Sequence, residues 1–242
     1  MSIMIKIIRS EALKGSQKIK ILYPGFSFLE GDSGIGSIGR VDFAEIDGDH
    51  LIPMHPHIND EILSYFRVGS CEHADSEGLK KTLNRQTLML MKAGSLFYHK
   101  EKVVNFLEGL QIFIRPGKEN LKPSVTFLEL DPVESVNAWR QLASPDEDAS
   151  LQFSSQTWVY DIFLTNQKIV QLPHHPGLTF LLIVFKGTVL INNYILLDAQ
   201  SSMIILHENV NISTESEAEL VLLVSDPKAE VFKKGMFSGN II

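Results

Sequence analysis

Apolar and polar positions alternate along most of the chain in short runs, broken by glycine, proline, asparagine and aspartate. A period of two is the signature of half-buried strands. In the first half the runs 3–8, 19–23, 40–46, 51–57, 62–67, 70–73, 83–90, 94–99 and 110–114 read as strands, with turns at Asp47-Gly48-Asp49 and Asp75-Ser76-Glu77-Gly78. The rhythm stops at Pro116-Gly117-Lys118-Glu119-Asn120 and Lys122-Pro123. Residues 135–142 are expected to form one or two helical turns, and Ser144-Pro145-Asp146-Glu147-Asp148 is turn-rich. Strands then return at 157–164, 177–185, 188–191, 194–197, 202–206, 210–213 and 219–224. Many short strands at this spacing point to a sandwich or barrel.

The two halves echo each other. Phe66-Arg67-Val68-Gly69-Ser70 resembles Phe185-Lys186-Gly187-Thr188, and Leu88-Met89-Leu90-Met91 resembles Met203-Ile204-Ile205-Leu206, at offsets of 118 and 115 residues. Nearly equal offsets indicate an internal duplication. The expected architecture is all-β: two tandem β-barrel domains with few short helices, at 1–130 and 131–242. Glycines 31 to 39 form a loop with no following lysine or helical pattern, so a phosphate cradle is set aside in favour of a flexible connection over a barrel mouth.

Length and composition narrow the class. The 242 residues are 44% hydrophobic and 21% charged, as expected of a globular protein. The net charge of −7 and the lack of a Lys/Arg cluster argue against direct nucleic-acid binding. No apolar stretch reaches the length of a membrane helix, and no signal-length apolar stretch opens the chain. A cytoplasmic, soluble protein without membrane contact is expected. The single cysteine, Cys71, excludes an intramolecular disulfide and reads as a buried thiol.

The chemistry gathers between residues 55 and 101. In a strand, residues two apart share a face, so His55 and His57 project together, as do His99 and Glu101. Pro53 and Pro56 place the first pair on an edge or at a bulge. If the two pairs meet across one antiparallel sheet, three imidazoles and a carboxylate form a site for one divalent transition metal. On ligand type iron, nickel, manganese and copper fit equally, with cobalt and zinc possible, and iron is taken as the first expectation. Glu61 has the parity of the two histidines if the strand continues unbroken, making it a rival carboxylate. The alternative is that all of these are simply polar residues on strands. In the second half, His174-His175 and His207-Glu208 are adjacent pairs, which splay to opposite faces, so that domain is expected to lack a metal.

These residues resemble the pirin family, two-domain members of the cupin superfamily. The resemblance rests on Gly25-Phe26-Ser27-Phe28, His55-Pro56-His57 with Glu61, Glu72-His73-Ala74-Asp75-Ser76-Glu77-Gly78, Ala93-Gly94 leading to His99-Lys100-Glu101, Gly109-Leu110-Gln111-Ile112-Phe113 and Ser144-Pro145-Asp146. It spans residues 25–146 and covers the remainder by domain layout. It implies jelly-roll cupin barrels, with His55, His57, His99 and Glu101 as the metal ligands. Glu61 falls where many cupins carry a ligand carboxylate. Three positions depart from the family: Leu96 replaces a glycine and bears on the shape of the pocket, Lys100 replaces a serine, and Phe113 replaces a tryptophan.

What the resemblance implies is a dioxygenase of the quercetinase type, acting on a flavonol-like aromatic substrate with O2, in which Glu101 is both ligand and general base. The alternative, from the regulatory relatives, is a non-enzymatic metal-binding module that captures a protein partner in a redox-dependent way. A cupin acting on an unrelated small molecule is a third reading. A monomer is expected.

Overall fold

The structure, a computed structural model, describes residues 5–25, 31–206 and 209–240. Phe26-Ser27-Phe28 and His207-Glu208 lie outside them. In chain order the strands are β1 (Ile5–Ile8), β2 (Lys14–Gly15), β3 (Ile19–Leu22), β4 (Ile38–Asp47), β5 (His50–His57), β6 (Glu61–Asp75), β7 (Lys80–Leu83), β8 (Thr87–Lys92), β9 (Phe97–Ile114) and β10 (Ser124–Glu129). They continue as β11 (Arg140–Ala143), β12 (Thr157–Leu164), β13 (Ile169–Gln171), β14 (Thr179–Lys186), β15 (Thr188–Ile191), β16 (Ile195–Asp198), β17 (Ser202–Ile205), β18 (Asn211–Ser213) and β19 (Ala218–Ser225). Among the described residues the only helices are 3-10 turns at Ser10–Ala12 and Pro132–Ser135, and no helix is long and apolar enough to cross a membrane.

The chain forms two compact units. One comprises Lys14–Leu130, Phe153–Ser155 and Ala229–Ile242, and the other Met1–Leu13, Asp131–Gln152 and Gln156–Lys228. In the first, the strand order is β10-β8-β6-β9-β4-β3-β2, with β5 on β9 and β7 on β6. In the second, one sheet runs β1-β17-β14-β19-β12-β11 and the other β13-β18-β15-β16. The series β8-β6-β9-β4 thus recurs as β17-β14-β19-β12, and β1 occupies in its sheet the edge that β10 occupies in the other.

The sequence echo marks this repeat. Gly69 and Gly187 both have positive φ, +74° and +83°. Each turns its open side to a carbonyl, of Phe106 and of Glu217, where a Cβ would collide. The second core is built from alternate residues of β14 and β19, Phe180, Leu182, Val184, Leu220, Leu222 and Val224, with Val189, Ile191 and Leu197.

Four local expectations change. Residues 62–73 are one strand, β6, with irregularities in register between Phe66 and Val68 and between Gly69 and Ser70; 97–114 is likewise one strand, β9. The run 83–90 is divided between β7 and β8, joined through Asn84, whose side chain accepts from the Gln86 N–H. In place of helix at 135–142, Asp131 caps a short 3-10 turn and Pro132 starts it. Asn137 then takes φ +56°, and β11 presents Arg140 to the buried carboxylate of Asp161 on β12. The glycine-rich loop is pinned: Arg115, fully buried, grips Asp32 with two nitrogens and also donates to the carbonyls of Gly36, Ser238 and Gly239.

Candidate metal centre

The two expected pairs lie on paired strands, and His99, though not Glu101, groups with His55 and His57. β5 is antiparallel to β9, with His55 opposite His99 and His57 opposite Phe97. The register slips between Ile52 and His55, so the expected irregularity sits at Pro53, which has no N–H to give to the ladder. The inward face of β9 reads Phe97, His99, Glu101, Val103, all buried, with two polar side chains between two apolar ones.

Three imidazoles converge. Ring centroids lie 5.0 Å apart for His55 and His57, 4.5 Å for His55 and His99, and 4.9 Å for His57 and His99. One nitrogen from each falls within 4.8 Å of the others, so the trio could hold a metal ion. A second group of the same kind joins His99 to Glu101 and His73.

The hydrogen bonds show which nitrogens are free. His55 Nδ1 donates to the Pro53 carbonyl at 2.8 Å, leaving Nε2 as the lone-pair nitrogen. His57 Nδ1 is 3.5 Å from Asp60 Oδ2 and makes no hydrogen bond. His99 Nδ1 is 3.3 Å from His73 Nδ1, and its Nε2 is buried with no partner. An unsatisfied buried nitrogen costs about 1–3 kcal/mol. A divalent cation would satisfy it, and fixing one imidazole nitrogen so that the other faces the ion is how metal-binding histidines are held. The donor set fits a first-row transition ion.

Burial also sets the charges. His99 is pushed down to about 2, chiefly by burial and then by the neighbouring His57, His55 and His73 imidazoles. Burial lowers His55 and His73 too. These rings are neutral at physiological pH, as a ligand must be. Burial raises Glu101 to about 7, against the opposing pull of Gln111, whose Nε2 donates to both carboxylate oxygens at 3.0 and 3.1 Å. Cys71 is a buried free thiol with its pKa raised by burial.

Glu61 does not join either group. β5 ends at His57, Asn59 takes φ +53°, and the turn breaks the parity that would have aligned Glu61 with the histidines. Its carboxylate accepts from the Ser154 N–H at 3.0 Å and lies 4.0 Å from Lys92 Nζ. Leu96 is exposed just before β9.

Three neighbours escape a reading of local spacing. His73 on β6 lies opposite Glu101. Its signal is the alternation Cys71, His73, Asp75 on one inward face. Asp60 reaches His57 while accepting from the backbone N–H groups of Phe237 and Ser238. Phe237 itself packs on His57 at 5.0 Å and on Phe113 at 5.7 Å. A groove of about 430 Å³ beside β6 and β9 is lined by Leu51, His73, Lys80, Lys100 and Lys102 among others.

Comparison with known proteins bears on the family and the fold. Residues 20–114 match the Pirin family, and residues 141–224 match the quercetinase C-terminal cupin domain. The chain is 28% identical over 201 residues to the quercetin 2,3-dioxygenase of Escherichia coli (strain K12), covering 80% of this chain and 84% of that one. The crystal structure of YhhW from Escherichia coli superposes with a TM-score of 0.80 at 22% identity, over 93% of this chain and 98% of that one. The nickel(II) complex of the bacterial pirin YhhW gives 0.79 at 21% identity, over 93% and 100%. A quercetin 2,3-dioxygenase from Acinetobacter baumannii gives 0.75 at 19% identity, over 92% and 86%. These superpositions carry the fold, a two-domain cupin. The chain carries a pirin domain over residues 20–114 and a quercetinase-type C-terminal cupin domain over residues 141–224.

Proposed function

We propose that the N-terminal domain, residues 1–130 in outline, holds one divalent transition metal through His55, His57 and His99, with Glu101 as the fourth ligand, and oxygenates a flavonol-like aromatic compound with O2. The observation that carries this is the convergence of three imidazoles, one with a buried, unpartnered Nε2. The 28% identity to a quercetin 2,3-dioxygenase supports the substrate class. Iron is the first choice of metal, and nickel, manganese, copper, cobalt and zinc suit the same donors.

Such an ion supplies Lewis acidity that lowers the pKa of a substrate hydroxyl, and redox chemistry towards dioxygen. The protein does the rest. Glu101 would take the hydroxyl proton on a carboxylate oxygen, as general base. Gln111 keeps that carboxylate oriented. His55 is the half-buried member of the trio and marks the side open to solvent. Phe113 and Phe237 wall the site against His57.

A second reading, a regulatory module that captures a protein partner, draws on one observation. Leu51, Met54, Leu96 and Tyr98 are exposed large apolar side chains on or beside β5 and β9, and Leu51 also lines the lysine-bearing groove. Elemental analysis of protein purified without added metal, beside His55→Ala, followed by oxygen uptake with quercetin, separates the readings. Metal lost in the variant with quercetin-dependent uptake supports the dioxygenase. Metal without uptake transfers the weight to the regulatory reading, and absence of metal from both sinks the site.

A further inference from the structure

His73 is buried, with 1% of its surface exposed, and belongs to none of the four expected ligands. It stands between two groups. Its Nδ1 lies 3.3 Å from His99 Nδ1, and its Nε2 is 3.7 Å from Asp75 Oδ2, with no hydrogen-bond partner of its own. The other oxygen of Asp75 is committed: Oδ1 accepts from the backbone N–H groups of Glu77 and Leu79, both at 3.0 Å. That leaves Oδ2 turned to the imidazole.

Proton counting makes this a directional chain. A neutral imidazole has one N–H and one lone pair. Between two facing Nδ1 atoms, one must donate and the other accept. If His73 donated, its Nε2 lone pair would face the Asp75 carboxylate, two acceptors opposed in a buried place. His99 would also carry its own proton on Nε2, where it could bind no metal. In the opposite order every group is complementary: His99 Nδ1–H donates to His73 Nδ1, and His73 Nε2–H points to Asp75.

We propose that His73 is a positioning residue, set by Asp75, which fixes the tautomer and ring orientation of His99 so that its Nε2 lone pair is presented to the metal. This rests on the reading of His99 as a ligand. Anchors of this kind behind a ligand histidine are worth about 10–100-fold in metal affinity. The sheet supplies the geometry: in the β6–β9 register Asp75 is opposite His99 and His73 opposite Glu101, so His73 leans across one step of the ladder.

The test is titration of the chelator-treated full-length protein with Ni(II), using a chromophoric competitor. Wild type should bind one ion. His73→Phe should bind one ion about 10–100-fold more weakly, whereas His73→Gln, whose Oε1 can accept from His99 Nδ1–H, should stay within about threefold of wild type. Unchanged affinity in His73→Phe would overturn the proposal, as would His73→Gln failing equally. Two ions in wild type with one lost in His73→Phe would also overturn it, making His73 a ligand of a second ion. Independently of any variant, 15N-resolved imidazole spectra of the Zn(II)-loaded wild type should show His73 as the Nε2–H tautomer; the Nδ1–H tautomer refutes the chain. One ion bound undiminished in His99→Ala removes His99 from the ligand set and with it the reading this inference rests on, whereas unaltered binding in His73→Phe removes only this inference.

Discussion

Gln111 donates to both carboxylate oxygens of Glu101, although the two residues stand ten positions apart on one strand. A straight strand would separate them by roughly 33 Å. β9 therefore has to curl. Asn105, between them, takes φ +64° and donates its N–H to Asp49. Asparagine tolerates that left-handed conformation better than most residues. The first half of β9 pairs with β5 and the second with β4, so one strand delivers both the Glu101 carboxylate and the amide that steadies it.

Gln111→Leu removes the two hydrogen bonds that hold down the Glu101 pKa. Glu101 then keeps its proton to higher pH, and a metal must displace it. We expect Ni(II) affinity at pH 7 to fall by about 10-fold, consistent with the ~1–3 kcal/mol cost of an unsatisfied buried acceptor. The midpoint of metal uptake against pH should move upward. Competition titrations between pH 6 and 8 give both.

The raised pKa of Glu101 also couples stability to pH in the metal-free protein. Below its ordinary 4.5, folded and unfolded chains both hold the proton; between 4.5 and about 7 only the folded chain does. Stability from this group is thus lost as pH rises through that window and levels off above it. Glu101→Gln, which mimics the neutral acid, should match wild type near pH 4.5 and exceed it by as much as ~3 kcal/mol at pH 8. Urea unfolding of both proteins in the presence of chelator measures the difference.

Metal removal should lower thermal stability. An ion that binds only the folded site stabilises it by ~2.7 kcal/mol at a hundredfold excess over its Kd. Thermal scans with Ni(II) and with chelator should separate for wild type and coincide for His57→Ala and His99→Ala. A full shift persisting in His99→Ala would remove that residue from the ligand set.

Arg115→Leu leaves the Asp32 carboxylate with Lys233 and the Gly34 N–H alone and frees the carbonyls of Gly36, Ser238 and Gly239. Breaking a buried ion pair from one side costs ~3–5 kcal/mol when the remaining charge is left alone, and Lys233 beside Asp32 sets the expected loss below that range. Because the same guanidinium grips the segment carrying Phe237, the variant should also weaken Ni(II) binding. Urea unfolding and the same titration test the two effects, and adding Asp32→Asn should recover part of the stability.

The sequence alone determined what depends on local alternation. The period of two placed His55 with His57 and His99 with Glu101 on shared faces, and Pro53 foretold the irregularity in β5. The offset of Gly69 and Gly187 exposed the repeat of the fold, because only glycine fits where a positive φ faces a partner carbonyl. The tertiary structure alone decided what depends on register and on distant chain. Glu61 left the candidate set because Asn59 reverses the backbone, a choice that parity cannot anticipate. His73 entered because β6 and β9 pair with Asp75 against His99. Phe237 and Asp60 came together across 177 residues because Asp60 accepts the Phe237 N–H. Strand periodicity is encoded within a few residues; which strands pair, and where the chain bends, is fixed by burial and hydrogen bonding summed over the whole domain.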